Sequence, residues 1–472
     1  MCSGLRRAGS VGLMQQMPGR ARLRGAPVAL LVAGIIALAF NLRAAITSLP
    51  PVFPELRGAL HLPAAAEAAL AAAPVLCFGV FSGLAAPLSR AFGAERVLGA
   101  ALAALAAGLV LRGAAPGLLL FPGTILAAGA IALMNVLLPS LIKRRHPDQA
   151  GLLIGLYLLA LSAGAIAGSL LAVPVFAAAG GAAVRLALGV WALPALAAAV
   201  IWLPQLREPR PDSRLSEGAA GSAGLEGSAA LAGSAGLAGP TEPAGPASRR
   251  AASRRAGALS MRHYPLAWQV TAFMGLQSLS YFAALSWFPT LFRDRGVSAV
   301  HAGDLLALMN LGNAVTALLL PVLAHRARDQ RMLAAVSVLA TAAGLAGAAF
   351  GPLATAIPFT FLLGLGQGAT LGLGIFFTQA RAPDPVTAAS LSAFAQGIGY
   401  LLASTGPLLL GYLHARTGSW TVPVAVLLIV AILELITGWP AGRPLTIPRC
   451  AAAPARPAAG PAAPAAPVGP AG

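Results

Sequence analysis

Charged residues are scarce in this chain, and acidic residues are scarcer than basic ones. Only 10% of its 472 residues are charged, with 14 Asp and Glu against 32 Lys and Arg, whereas an ordinary soluble domain has roughly 25% charged residues. Hydrophobic residues make up 58% of the sequence. We therefore predict a polytopic membrane protein rather than a soluble domain.

Cysteine and catalytic motifs are equally sparse. The three cysteines, Cys2, Cys77 and Cys450, are widely separated and match no disulfide framework or metal-ligand spacing. The sequence shows no Ser/His/Asp constellation and no phosphate-binding loop, and its GLGQG stretch at 364–368 lies inside an apolar segment, where glycine serves helix packing. We expect no enzymatic activity, no metal and no cofactor.

Twelve apolar segments are each long enough to cross a bilayer, which takes about 20 residues. They lie at about 27–49, 65–88, 97–115, 118–141, 151–175, 183–203, 265–289, 302–324, 332–350, 354–378, 387–413 and 420–439. The prediction is an all-α polytopic membrane protein with twelve transmembrane helices in two six-helix bundles, at 27–203 and 265–440.

Three further segments lack the composition of a packed core. Residues 1–26 are basic, residues 204–264 are rich in Gly, Ala, Ser and Pro, and residues 441–472 are rich in Ala and Pro. Such compositions cannot offset the entropy of ordering the chain. We predict a basic N-terminal tail, a flexible linker and a disordered C-terminal tail, all of them cytoplasmic.

Basic residues are distributed unevenly between the two sides of the predicted bundles. If the amino terminus is cytoplasmic, the segments on that side hold 25 Lys and Arg, those on the other side hold six, and Arg43 remains. Because cytoplasmic loops gather basic residues, we predict an inner-membrane protein with both termini in the cytoplasm. The basic residues lack the aromatic interleaving of a nucleic-acid groove, so we expect no nucleic-acid partner. The expected partners of a monomer are the lipid bilayer and a small anionic substrate, with protons left open.

The two halves carry an internal repeat. The stretch RHPD at 145–148 recurs as RAPD at 381–384, 236 positions later, and the loops after the second and eighth segments echo each other more weakly. Parallel halves of this kind indicate two bundles related by an axis along the membrane normal. The candidate gating residues in these loops are Arg90, Arg96, Arg145, Asp148, Arg326, Arg331, Arg381 and Asp384.

Longer stretches resemble the cyanate and 2-nitroimidazole transporter family of the major facilitator superfamily. They are NLRAAITS, NVLLPSLIKRRHPDQAGLLIGLYLLALSAGA, LAWQVTAFMGLQSLSYFAALSWFP, and GLGQGATLGLG with RAPDPVTAASLSAFAQGIGYLLASTGPLLLG. The resemblance implies alternating access around a central cavity lined by the first, fourth, seventh and tenth segments. The chain departs from the superfamily at Ala86 and Pro87, near a usual aspartate, and at His325, where relatives often have an acid.

Arg43 lies within the first apolar segment, and no other charged residue occurs between Arg24 and Glu55. A charge at mid-membrane costs on the order of 3 kcal/mol or more, so it indicates function by default. Arg43 either extends its side chain to the membrane interface or, as the resemblance implies, faces the cavity. A guanidinium in a cavity offers directed donors to a small anion such as cyanate.

Other polar residues within the segments are candidates for the same site. Each could instead hydrogen-bond a neighbouring helix, and the resemblance favours those on the seventh and tenth segments. The candidates are Asn41, Thr47, Asn135, Tyr157, Gln277, Tyr281, Gln367, Gln396 and Tyr400. Gly164 and Gly168, spaced by four, predict a close helix contact instead.

The sequence leaves several functions open. We predict a secondary active or facilitative transporter that takes up a small anion such as cyanate. The alternatives are an efflux carrier for small neutral compounds of the nitroimidazole type and, in another class, a receptor or scaffold that does not transport. No acidic residue lies near Arg43 in the sequence, so proton coupling and uncoupled anion movement both remain open.

Overall fold

The computed structural model describes residues 26–180, 183–207 and 261–448. The predicted N-terminal tail lies almost entirely outside these residues, as do most of the linker and most of the C-terminal tail. Every regular element among the described residues is a helix, which confirms the all-α prediction.

Within residues 26–180 and 183–207, the first half of the chain forms nine α-helices, several of which combine into longer spans. They are α1 (Ala26–Thr47), α2 (Phe53–Leu60), α3 (Ala64–Phe81), α4 (Ala85–Phe92), α5 (Ala94–Ala114), α6 (Pro116–Arg145), α7 (Ala150–Ala178), α8 (Ala183–Gly189) and α9 (Ala192–Trp202). Pro50 and Pro51 lie between α1 and α2, and a 3-10 turn, Ser82–Leu84, separates α3 from α4. Proline lacks the backbone N–H that a continuous helix needs, which accounts for the first break.

Within residues 261–448, the second half forms six α-helices, all of them longer than the short helices α2, α4, α8 and α9 of the first half. They are α10 (Pro265–Asp294), α11 (Ala299–Arg326), α12 (Arg331–Phe350), α13 (Ala356–Ala380), α14 (Pro385–Thr417) and α15 (Thr421–Ala441). Asp384 caps the start of α14, because its carboxylate accepts hydrogen bonds from the Thr387 backbone N–H and hydroxyl, both at 2.9 Å.

Among the described residues, eleven helical spans rather than twelve are long and apolar enough to cross a membrane. The exception is α10, which has 30 residues and corresponds to the predicted segment at 265–289. Its middle carries Gln277, Ser278, Ser280 and Tyr281, and these polar side chains lower its mean hydropathy. They are buried against the rest of the protein instead of facing lipid.

The two halves meet along a few helix pairs. The helices α3 and α14 pack together, as do α7 and α11, so each pair joins one half to the other. Within the first half, α7 lies against α1 so closely that a Cβ added at Gly168 would come within 2.8 Å of the Ala44 carbonyl oxygen. The close contact predicted from Gly164 and Gly168 is therefore confirmed.

The two ends of the helices differ in their charged residues. We call the end with the RHPD and RAPD loops the basic end; it carries Arg90, Arg96, Arg145, Arg326, Arg331 and Arg381. We call the opposite end the far end; it carries Glu55, Arg57, Glu67, Arg293, Asp294 and His414.

Candidate functional site

Arg43 lies on α1 at the boundary between the two halves, where its half-buried side chain lines two small cavities. The cavities have volumes of about 80 Å³ and about 40 Å³, and Tyr400 and Leu161 line both of them. Among the residues that the structure describes, no carboxylate forms an ion pair with Arg43. The guanidinium is thus an uncompensated positive charge at the centre of the molecule.

A chain of hydrogen bonds runs from Arg43 across both halves. Arg43 Nη1 donates to the Tyr281 hydroxyl at 3.3 Å, and this hydroxyl donates to Asn310 Oδ1, also at 3.3 Å. The Asn310 amide then donates to Ser169 Oγ at 3.3 Å. These four residues come from α1, α10, α11 and α7. The series of hydrogen bonds therefore joins helices of both halves, and it must change if the halves rock relative to each other.

Aromatic rings surround the guanidinium on one side. Arg43 Cζ lies 5.6 Å from the centre of the Tyr281 ring, a distance at which a cation is attracted to the ring face. Phe282 contacts Tyr281, Phe78 and Tyr400, with ring centres 5.1, 6.2 and 6.4 Å away. The site therefore combines one cation with several flat apolar surfaces.

Several residues predicted for the site do meet at these cavities. Arg43, Tyr281 and Tyr400 line the larger one, and Asn135 and Gln396 line the smaller one with Arg43 and Tyr400. Tyr157 is fully buried behind the cavity wall and donates to Asn135 Oδ1 at 3.3 Å.

Other predicted residues are buried away from the cavities, and two of them bond neighbouring helices. The Asn41 amide donates to the Pro194 carbonyl oxygen at 3.0 Å, and the Thr47 hydroxyl donates to the Ala165 carbonyl oxygen at 3.0 Å. Gln277 accepts a hydrogen bond from Ser278 at 3.1 Å. Gln367 is 1% exposed and lies outside both cavities.

The sequence interpretation missed several polar residues of the site. Asn310 and Ser169 continue the hydrogen-bond chain, and Asn313 lines the larger cavity. A signal was available for the two asparagines, because amide side chains within an apolar span are costly to bury without a partner. Nothing in the sequence distinguished Ser169 from a serine bonded to its own helix.

The two repeated arginines at the basic end each connect neighbouring helix ends. Arg145 Nη2 lies 3.0 Å from Glu95 Oε1, which joins the end of α6 to the start of α5. Arg381 Nε donates to the Ala441 carbonyl oxygen at 2.9 Å, and its Nη2 donates to Gln330 Oε1 at 2.5 Å. Burial lowers the pKa of the Arg381 guanidinium, and this shift is opposed by the nearby Asp329. Both sets of contacts lie within one half of the chain.

The remaining gating candidates have simpler surroundings. Arg331 pairs with Asp329 at 3.1 Å and lies 5.9 Å from the centre of the Trp439 ring. Asp148 is exposed in a short 3-10 turn after α6. The side chains of Arg90, Arg96 and Arg326 are exposed. Arg96 also borders a groove of about 830 Å³ whose other lining residues are apolar, which sets this groove apart from the polar central cavities.

At the far end, an ion pair crosses from one half to the other. Arg293 at the end of α10 pairs with Glu55 on α2, and their side chains are 26% and 18% exposed. Arg295 donates to the carbonyl oxygens of Ala348 and Gly351, which fixes the end of α10 against α12. The two halves are therefore tied together at the far end of the central cavities.

A separate, larger cavity at the far end is lined by several titratable residues. Its volume is about 540 Å³, and it is lined by Arg57, His61, Glu67, Asp294 and His414 among others. Arg57 lies 3.8 Å from Glu67, and His414 lies 3.4 Å from Asp294. This outer cavity is separate from the two that Arg43 lines.

The chain thus forms membrane-spanning helices in two bundles that pack around the central cavities. This arrangement is that of a multi-pass membrane transporter. A family model described as Major Facilitator Superfamily matches residues 31–404. The chain belongs to this superfamily.

Two relatives place the chain more narrowly. The 2-nitroimidazole transporter of Escherichia coli is 38% identical over 88% of this chain and 95% of the relative. The cyanate transport protein of Escherichia coli is 27% identical over 82% of this chain and 90% of the relative. The resemblance to the cyanate and 2-nitroimidazole transporter family is confirmed.

A solved structure agrees on the fold alone. A bacterial homologue of the human lysosomal transporter Spinster, inward-facing and unoccupied, gives a TM-score of 0.66 at 14% identity, covering 89% of this chain and 98% of that one.

Proposed function

We propose that this chain is a carrier of the bacterial inner membrane, with both termini cytoplasmic, and that it moves a small anion such as cyanate by alternating access around Arg43. The observation that carries the proposal is the unpaired guanidinium at the central cavities. Among the described residues no acid neutralises it, so an anion that enters the cavity supplies the missing charge.

The size of the cavities supports a small substrate. Drug-sized ligands occupy pockets of about 300–1,000 Å³, whereas the two cavities at Arg43 measure about 80 Å³ and about 40 Å³. A single water needs roughly 10–15 Å³ on the same measure. A linear anion of a few atoms fits this space without further opening of the helices.

A neutral planar compound of the nitroimidazole type is the second candidate. Two observations favour it: the 38% identity to the 2-nitroimidazole transporter, and the rings of Phe282 and Tyr400, whose centres lie 6.4 Å apart beside Arg43. An aromatic heterocycle stacks on such rings, and the two oxygens of a nitro group accept hydrogen bonds from a guanidinium much as a carboxylate does.

Transport by the purified protein in proteoliposomes tests both candidates. We expect labelled cyanate to enter vesicles that contain the protein faster than it enters protein-free vesicles. Unlabelled 2-nitroimidazole should slow this uptake only if the two compounds share the site. Running each assay with and without a pH gradient separates coupled from uncoupled movement. Failure to move either compound, in vesicles where the protein is folded and correctly inserted, would favour the non-transporting receptor.

A further inference from the structure

A buried carboxyl group lies in the second half of the chain, apart from the central cavities. Glu434 on α15 is 1% exposed, and its Oε1 atom has no hydrogen-bond partner among the described residues. The position is deep within the membrane-spanning part of α15, where a lone carboxylate is expensive. Such a group needs either a cation or a proton.

No cation is available to Glu434 within the described part of the chain. Between Pro265 and Phe292, α10 carries no charged residue, and the basic residues of α12 and α13 lie at their basic ends, at Arg331 and Arg381. The basic residues of α14, His414 and Arg416, lie at its far end, and its other titratable residues, Tyr400 and Tyr412, are neutral phenols at neutral pH. The residues packed around the carboxyl group from these helices are therefore uncharged.

Polar groups on α13 face the same region. The Thr370 side chain interacts with the Glu434 carboxyl group, and its hydroxyl also donates to the Gln367 backbone carbonyl oxygen at 3.1 Å. Gln367 is itself 1% exposed, and neither its amide nitrogen nor its amide oxygen has a hydrogen-bond partner among the described residues. Buried polar atoms are normally paired, so three orphan atoms in one region need an explanation.

Gln367 lies one turn of α13 from Thr370, and an amide within reach of the carboxyl group would account for these orphan atoms. The amide nitrogen donates to an ionised carboxylate, whereas the amide oxygen accepts from a protonated carboxylic acid. A glutamine can therefore serve either state by rotating its terminal group. The following residues of α13, Leu371 and Ile375, line the larger central cavity, so the same helix contributes to this region and to the cavity wall.

We propose that Glu434, with Thr370 and Gln367, forms a proton-binding site coupled to transport. The carboxylate takes a proton from water on one side of the membrane, becoming a neutral carboxylic acid, and returns it to water on the other side. This site deepens the proposed function, because a proton carried with an anion makes the cargo electrically neutral. Exchange with water requires a conformation in which α13 and α15 separate.

Infrared spectroscopy of the purified protein tests the site without any substrate. The carbonyl stretch of a buried carboxylic acid should appear in mildly acidic buffer and fade in mildly alkaline buffer. Glu434→Gln should lose this band, whereas Asp304→Asn, which removes the acid of α11 outside the cluster, should keep it. A Glu434→Gln protein with the same pH-dependent band as the parent would overturn the proposal.

Transport assays test the coupling. Glu434→Gln should exchange labelled cyanate for unlabelled cyanate within about twofold of the parent rate, yet lose accumulation driven by a pH gradient, and Glu434→Asp should restore part of that accumulation. Accumulation that persists in Glu434→Gln would contradict the coupling. If cyanate is not a substrate, the infrared band still decides whether the proton site exists, so failure of the two proposals can be told apart.

Discussion

Replacing Arg43 by glutamine should remove most of the affinity for a small anion. Glutamine keeps a hydrogen-bond donor on a shorter side chain but removes the only charge among the described residues that line the central cavities. A hydrogen bond to a charged group contributes about 1.5–3 kcal/mol. Since about 1.4 kcal/mol is a factor of ten in affinity, we expect the Kd for cyanate to rise roughly 10- to 150-fold.

Matched variants separate charge from geometry at this position. Arg43→Lys keeps the charge but loses the planar fork, so its Kd should lie between those of the parent and the glutamine variant. Tyr281→Phe removes the hydroxyl that accepts from Arg43 at 3.3 Å and leaves the charge intact. We expect this variant to keep most of the affinity for cyanate and to bind it far more tightly than Arg43→Gln, because the guanidinium that contacts the anion remains.

Equilibrium binding of labelled cyanate to the purified protein is the assay, with helical content by circular dichroism as the control for folding. Binding of 2-nitroimidazole, measured in parallel, should change much less in Arg43→Gln, because stacking on the aromatic rings remains. A folded Arg43→Gln protein that binds and transports cyanate like the parent would refute the reasoning. The arginine would then serve only to join the two halves through its hydrogen bond to Tyr281.

Four further predictions concern the structure around the site. Glu55→Gln should break the ion pair at the far end and so destabilise the contact between the two halves there by roughly 1 kcal/mol. The distance between spin labels at Gly58 and Val300 should then increase. Glu95→Gln, which breaks an ion pair within one half, should leave that distance unchanged. Gly168→Ala should destabilise the protein by about 1–3 kcal/mol, because its Cβ would meet α1, whereas Gly155→Ala on the same helix has open space and should unfold thermally like the parent. Arg145→Ala and Arg381→Ala should each slow transport while equilibrium binding stays nearly intact, whereas Arg326→Ala, at an exposed position, serves as the control. If both variants transport at the parent rate, the repeat reflects shared ancestry alone. Protease added to the cytoplasmic face of sealed vesicles should cut first between residues 208 and 255, and cutting from the other face would overturn the proposed topology.

Hydrophobicity was enough to predict the fold class. In a membrane the backbone N–H and C=O groups must form hydrogen bonds within the protein, and helices achieve this within each apolar segment. The same criterion undercounts α10, whose polar face is buried against other helices rather than exposed to lipid. In this helix, buried polar side chains lower the hydropathy although the length still suffices to cross a membrane.

The positions of individual site residues were harder to predict, because span order does not give the rotation of each helix. Tyr281 was expected at the cavity and lies there, bonded to Arg43. Gln367 was expected there on the same grounds, yet packing closes the cavity one turn away, at Leu371. Asn310 escaped notice because its partners, Tyr281 and Ser169, are far away in sequence and meet it only after folding.

The scarcity of acids bears on how such a carrier could move charge. Arg43 has no carboxylate partner and Glu434 has no cation partner among the described residues, so each buried charge is left for a mobile ion to neutralise. An inside-negative potential of about 100 mV opposes inward movement of one anion by about 2.3 kcal/mol, roughly a 40-fold concentration ratio. A proton on Glu434 together with an anion on Arg43 removes this penalty. With both ions bound, neither of these two sites carries an uncompensated charge, whereas loss of either ion exposes one to the membrane interior. Reorientation should therefore be fastest when both sites are full or when solvent reaches the empty one, and a half-loaded carrier should be held back.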